Sequence, residues 1–162
     1  MTAKSIQLST RWEGDAIVVR DHDTEIDRIA AQDIRRMILV GAGDSPSDLR
    51  FAVVETPNEH VVLPAASGIA GRVHFERLGF WSQRNCIYWA SDSRAALPRH
   101  LLPGVWLLRR HDPGYLRLPA AELAPVIERW PLEGPQTWEQ RKWRRIENSR
   151  PFSNSAPGQL RA

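Results

Sequence analysis

Apolar and polar positions alternate through much of the first 64 residues, and the alternation breaks at turn-forming residues. Ala16, Ile17, Val18 and Val19 form a short, mostly β-branched run. It ends at Asp21, His22, Asp23 and Thr24, where Asp side chains that bond their own backbone favour a turn. Residues 25–29 resume an imperfect alternation, so a first hairpin is predicted. Residues 33–40 end in Met37, Ile38, Leu39 and Val40 and stop at Gly41-Ala42-Gly43-Asp44-Ser45-Pro46. Residues 49–55 read as a strand, Thr56, Pro57, Asn58 and Glu59 as a turn, and residues 60–63 as the return strand of a second hairpin. Residues 1–10 are polar and read as a frayed or edge segment.

The period then lengthens. Ser67 can cap a helix running to about Trp81, with Ile69, Val73, Leu78, Phe80 and Trp81 forming a broad apolar face and Arg72 and Glu76 spaced as a helical pair. Residues 86–90 are aromatic and β-like. Residues 97–103 form a Pro-bounded connector. Residues 105–109 and 115–118 flank His111-Asp112-Pro113-Gly114 as a third hairpin. Residues 120–130 are helical in tone, with Pro125 set to kink or restart the helix. Thr137-Trp138-Glu139-Gln140 fits a capping box, and a last helix is predicted from Trp138 to about Asn148. The Ser, Pro and Gly content beyond it predicts a flexible tail over 149–162.

The expected fold is therefore α+β, a bent antiparallel sheet of six to eight strands packed with two or three helices. It makes one domain over 1–148, with a strand-rich part at 11–64, a helix at 67–81 and a mixed part at 86–148. The 162 residues and the 42% apolar share suit a domain of this size. No apolar run approaches the 20 or so residues of a membrane span, and no secretory h-region follows the first methionine. A cytoplasmic protein is expected.

Charge divides the chain. Residues 1–70 hold seven basic and eleven acidic side chains, and residues 71–162 hold fifteen and eight. All the cations but Lys4 and Lys142 are arginine. Such asymmetry marks an anionic partner for the basic half, or two halves that attract each other. Coding bias also enriches arginine, and phosphate or carboxylate recognition uses its planar fork.

Candidate chemistry is sparse. Cys86 is the single cysteine, so no internal disulfide forms, and its apolar neighbours predict a buried structural thiol. The glycine loop at 41–46 lacks the third glycine and the Lys of phosphate-cradling motifs. His22, His60, His74, His100 and His111 show no ligand spacing, so no metal or other cofactor is expected. His22 and His111 each precede an Asp, an order better explained by two turns. Ser67 sits in no nucleophile elbow.

The distinctive set is Arg and Trp in the rear half. It comprises Arg109, Arg110, Trp138, Arg141, Trp143, Arg144 and Arg145. Cation plus aromatic suits nucleic acid. It equally suits a helix docked on its own domain, with tryptophans buried and arginines snorkelling. It also suits a protein partner or self-association.

The order of elements from Ala16 to Trp81, a hairpin, the strand at 33–40 and the hairpin at 49–63, resembles that of bacterial pleckstrin-homology-like domains. The resemblance implies a binding or scaffolding module without chemistry, and no functional residue is carried over from it. The leading expectation is a non-catalytic binding or adaptor domain that contacts a protein partner through the Arg/Trp set. The alternatives are a nucleic-acid binder using the same residues and a small enzyme.

Overall fold

A computed structural model describes residues 7–41, 49–69, 72–91, 94–103, 113–137, 139–141 and 143. Among them, eight strands form two sheets. The first sheet is a meander of β1 (Leu8–Glu13), β2 (Ala16–Asp21) and β3 (Thr24–Ala30). The second has the order β7-β4-β5-β6-β8, built from β4 (Arg36–Gly41), β5 (Leu49–Glu55), β6 (Glu59–Pro64), β7 (Ile87–Ala90) and β8 (Leu116–Pro119). The α+β class and both front hairpins stand as the patterning predicts. Of the frayed or edge segment expected at 1–10, residues 8–10 begin the strand β1, and residues 1–6 lie outside the described residues. The sheet is divided in two, and one pairing, β4 with β7, is parallel. Reaching that parallel position requires a crossover, which α1 (Arg72–Ser82) supplies between β6 and β7.

The long apolar runs in β4, β5 and β6 follow from burial on both faces. Met37, Leu39, Val54, Val61 and Leu63 meet Ile17, Val19 and Ile29 of the first sheet and Leu78 of α1. On the opposite face Ile38, Val40, Phe51, Val53 and Val62 meet Leu123, Ile127 and Trp130. Those three lie four and three residues apart, so they form one face of α2 (Ala120–Ile127) and its exit. The Ala120 N–H donates to the Asn58 carbonyl at 2.9 Å, which pins the start of α2 on the β5–β6 turn. Pro125 sits in the last turn, and the helix ends two residues later. β8 pairs with β6, and residues 105–109, the other half of the third predicted hairpin, lie outside the described residues.

A polar bridge joins the sheets at one end. Asp27 of β3 accepts from the Tyr115 hydroxyl and from Arg117 Nη1, both at 2.5 Å. Arg117 Nε donates to Glu59 at 3.0 Å. Burial first, and the bond to Asp27 next, push the Tyr115 hydroxyl well above its ordinary range.

The start of α1 departs from the predicted cap. Ser67 closes a 3-10 turn (Ala65–Ser67), and Gly68 follows in the left-handed region at φ +89°. That turn redirects the chain before a helix that begins only at Arg72. The helix is held instead through His74. The Thr10 hydroxyl donates to the Ser67 carbonyl at 3.1 Å, which leaves its oxygen to accept from His74 Nε2 at 3.4 Å. Nδ1 is then the bare nitrogen. It is buried and has no hydrogen-bond partner among the described residues.

Burial lowers the affinity of His74 for a proton, against the raising effect of the Thr10 contact. An unfolded imidazole protonates near pH 6.5, and the folded one only at lower pH. Between the two the unfolded chain binds more protons, so unfolding free energy falls as pH drops below about 6.5. His74→Gln removes this titration. In urea unfolding from about pH 7.5 to 5, the stability of the native chain relative to the variant should fall with acid. A pH-independent difference would count against the buried neutral imidazole.

Candidate functional site

The chain after α2 returns along the free edge of β7. Trp89 and Glu133 exchange both backbone hydrogen bonds at 2.8 Å, and the Gln136 N–H donates to the Ile87 carbonyl at 2.9 Å. Gly134 permits this approach, because a Cβ there would lie 2.8 Å from the Ile87 oxygen and φ is +135°. The capping box then forms reciprocally. The Gln140 N–H donates to Thr137 Oγ1 at 3.1 Å, and the Thr137 N–H donates to Gln140 Oε1 at 2.9 Å.

That cap aims Arg141 inward. Its side chain is 3% exposed. Nη1 donates to Glu133 at 3.1 Å, Nη2 to Ser91 Oγ at 2.6 Å, and the guanidinium carbon lies 4.6 Å from the centre of the Trp89 ring. Trp143 points the other way and is 58% exposed. A docked helix was expected to bury tryptophan and leave arginine at the rim, and these two side chains do the reverse. A planar cation can sit over an aromatic face while donating to a carboxylate and a hydroxyl at once, which the single indole N–H of a tryptophan cannot do. Arg141 therefore anchors the segment to its own domain and leaves the contact surface. Of the rest of the predicted set, Arg109, Arg110, Trp138, Arg144 and Arg145 lie outside the described residues.

The returning segment leaves a cavity of about 520 Å³ between itself and the end of α1. Leu78, Cys86 and Ile87 give it an apolar floor, and Gln83 and Asn85 add amides. Glu76 stands on the α1 side and Glu139 on the returning side. Trp143 lies one helical turn beyond Glu139 on the same face. Phe80 and Trp81 follow Gly79 of the cavity wall. They are 67% and 39% exposed and pack edge to face with centroids 5.0 Å apart. Of the apolar face expected of α1, Leu78 thus turns inward while Phe80 and Trp81 do not.

Sequence reasoning missed Phe80, Trp81 and the cavity. The available signal was a glycine inside a helical pattern, directly before two aromatic residues.

The other polar groups are held for structure. Arg36 grips Glu55 with Nε and Nη2, and His60 Nε2 lies 3.3 Å from the same carboxylate. Burial would raise the Glu55 pKa, but the bonds from His60 and Arg36 outweigh it and hold the carboxyl below its ordinary range. Such a carboxylate is a weak general base at neutral pH. Burial pushes the Cys86 thiol up, against the lowering influence of Arg84 and Ser82, so the thiol stays protonated. His22 Nδ1 meets Asp21 at 2.8 Å in the exposed β2–β3 turn and does not meet Asp23. Among the described residues no group of three His, Cys, Asp or Glu side chains could hold a metal ion, and no helix is long and apolar enough to cross a membrane.

Compared with protein-family models, with curated proteins and with solved structures, the chain matches none.

Proposed function

We propose that this domain is a non-catalytic binding or adaptor module that contacts a protein partner through the aromatic surface around the cavity. The observation that carries this reading is the exposure of three large aromatic side chains, Phe80, Trp81 and Trp143, on elements that flank one cavity. Exposed aromatic clusters mark interaction sites, and tryptophan is prominent among the residues that dominate interface energies. Trp143 retains the role expected from the Arg/Trp set, and the α1 aromatics take the place of Arg141. The resemblance of the front hairpins to pleckstrin-homology-like domains agrees with a module that binds. The depressed Glu55 carboxyl and the protonated Cys86 thiol agree with the absence of chemistry at those two groups.

The test is to recover a partner on the immobilised domain, purify it, and measure rebinding to the native chain and to Phe80→Ser/Trp143→Ser. Two exposed hot-spot aromatics are expected to cost about tenfold or more in affinity. The melting temperature should stay unchanged, because neither side chain is in the core. Equal affinity for the double variant, or no partner that rebinds in purified form, would overturn the reading.

A further inference from the structure

Alternation along β3 should place Ile26 and Asp27 on opposite faces of the first sheet. A bulge cancels that alternation. Val19 pairs with Asp27 and Arg20 with Glu25, so Ile26 has no opposite residue in β2. An extra residue of this kind bends its strand and re-aims a side chain. Asp27 accepts from the Tyr115 hydroxyl at 2.5 Å, and Ile26 lines a cavity together with the same Tyr115. The bulge therefore brings an isoleucine, 41% exposed, to the wall of a space bounded by both sheets.

This second cavity encloses about 710 Å³, within the range of sites that bury a small molecule. Leu8 and Tyr115 form its inner side, since both also pack against the core cluster that the sheets share. Pro64, Pro103 and Pro113 extend the apolar wall. The bond to Asp27 holds the Tyr115 ring in place before anything enters, so little ordering is left for binding to supply. Beyond the Tyr115 hydroxyl, the polar chemistry of the wall comes from Gln7 and Asp21. Asp21 is the one charged residue there among the described residues. Its carboxylate already accepts from the Gln7 N–H at 3.0 Å and meets His22 Nδ1 at 2.8 Å. With no lysine or arginine on the described wall and its carboxylate engaged, the cavity offers a charged guest no counter-ion. An ion entering it would lose water without gaining a partner.

We propose that this cavity is a binding site for an uncharged, largely apolar small molecule, seated against Leu8, Ile26 and the Tyr115 ring. The Gln7 side chain supplies an amide for one polar group of the guest. Neither Phe80, Trp81 nor Trp143 lines the cavity, so the site is independent of the adaptor reading.

The probes are indole and its anionic analogue indole-3-acetate, followed by amide chemical-shift changes at Leu8, Ile26, Gly114 and Tyr115. Indole is expected to bind with a Kd on the order of 1 mM. Indole-3-acetate should bind about threefold or more weakly, because its carboxylate meets Asp21 and no cation. Ile26→Glu places a charge on the wall and should abolish the indole shifts. Its melting temperature should stay within about 2 °C of the native value, since the residue is exposed and unpaired in the sheet. Ile26→Leu should keep the binding. Phe80→Ser/Trp143→Ser should bind indole at this site as the native chain does, whatever becomes of partner binding in that variant. The proposal is overturned by absence of shifts at the four amides, by equal binding of indole-3-acetate to the native chain, or by undiminished indole binding to a folded Ile26→Glu.

Discussion

Phe51→Ala is expected to lower the unfolding free energy by about 3–5 kcal/mol. For a chain of this length that is a fall of about 6–20 °C in the melting temperature. Phe51 is 1% exposed on the central strand β5, and its ring lies 6.0 Å from that of Trp130 at an interplanar angle of 67°. The ring fills the layer between the second sheet and α2, and neighbours on a five-stranded sheet cannot collapse into the space it leaves. The same contact secures Trp130, from which the chain turns back toward β7. Its loss should loosen the returning segment as well as the core. Thermal unfolding followed by far-ultraviolet circular dichroism checks this, with Trp143→Ala as the contrast. That exposed side chain should leave the midpoint in place. A Phe51→Ala midpoint within about 2 °C of the native one would mean that the layer is not packed as described.

The parts of the molecule legible in the sequence are those that local chemistry decides. The Asp21–Thr24 and Thr56–Glu59 turns, the β-branched runs around them and the Thr137–Gln140 box each carry their structure within a few residues, and each forms. What depends on distant partners was not legible. The aromatic pair Phe80–Trp81 reads as buried on helical period alone, yet the neighbouring sheets use His74 and Leu78 to hold α1 and leave the pair outside. Ser67 satisfies the local rule for a cap, but Pro64 and Gly68 place a separate turn there. The parallel β4–β7 pairing joins residues about fifty apart and leaves no local mark. The cavity is a product of that same long-range return, because its walls come from α1 and from the segment laid on the β7 edge.

Arg141 is where the two readings of the Arg/Trp set part, and Arg141→Ala separates them. The substitution removes a buried guanidinium from Trp89, Glu133 and Ser91 at once. Breaking a fully buried pair costs about 3–5 kcal/mol. The Glu133 side chain is 33% exposed and regains water, so the expected loss is about 2–3 kcal/mol, or about 4–12 °C. Arg141→Lys should recover little, because an ammonium lacks the fork that reaches Glu133 and Ser91 together and the plane that lies on Trp89. Retention of the folded variant on heparin should match that of the native chain, since a guanidinium enclosed by its own domain neutralises no phosphate. A residue that contacted nucleic acid would behave in the opposite way, eluting at lower salt with its melting temperature intact.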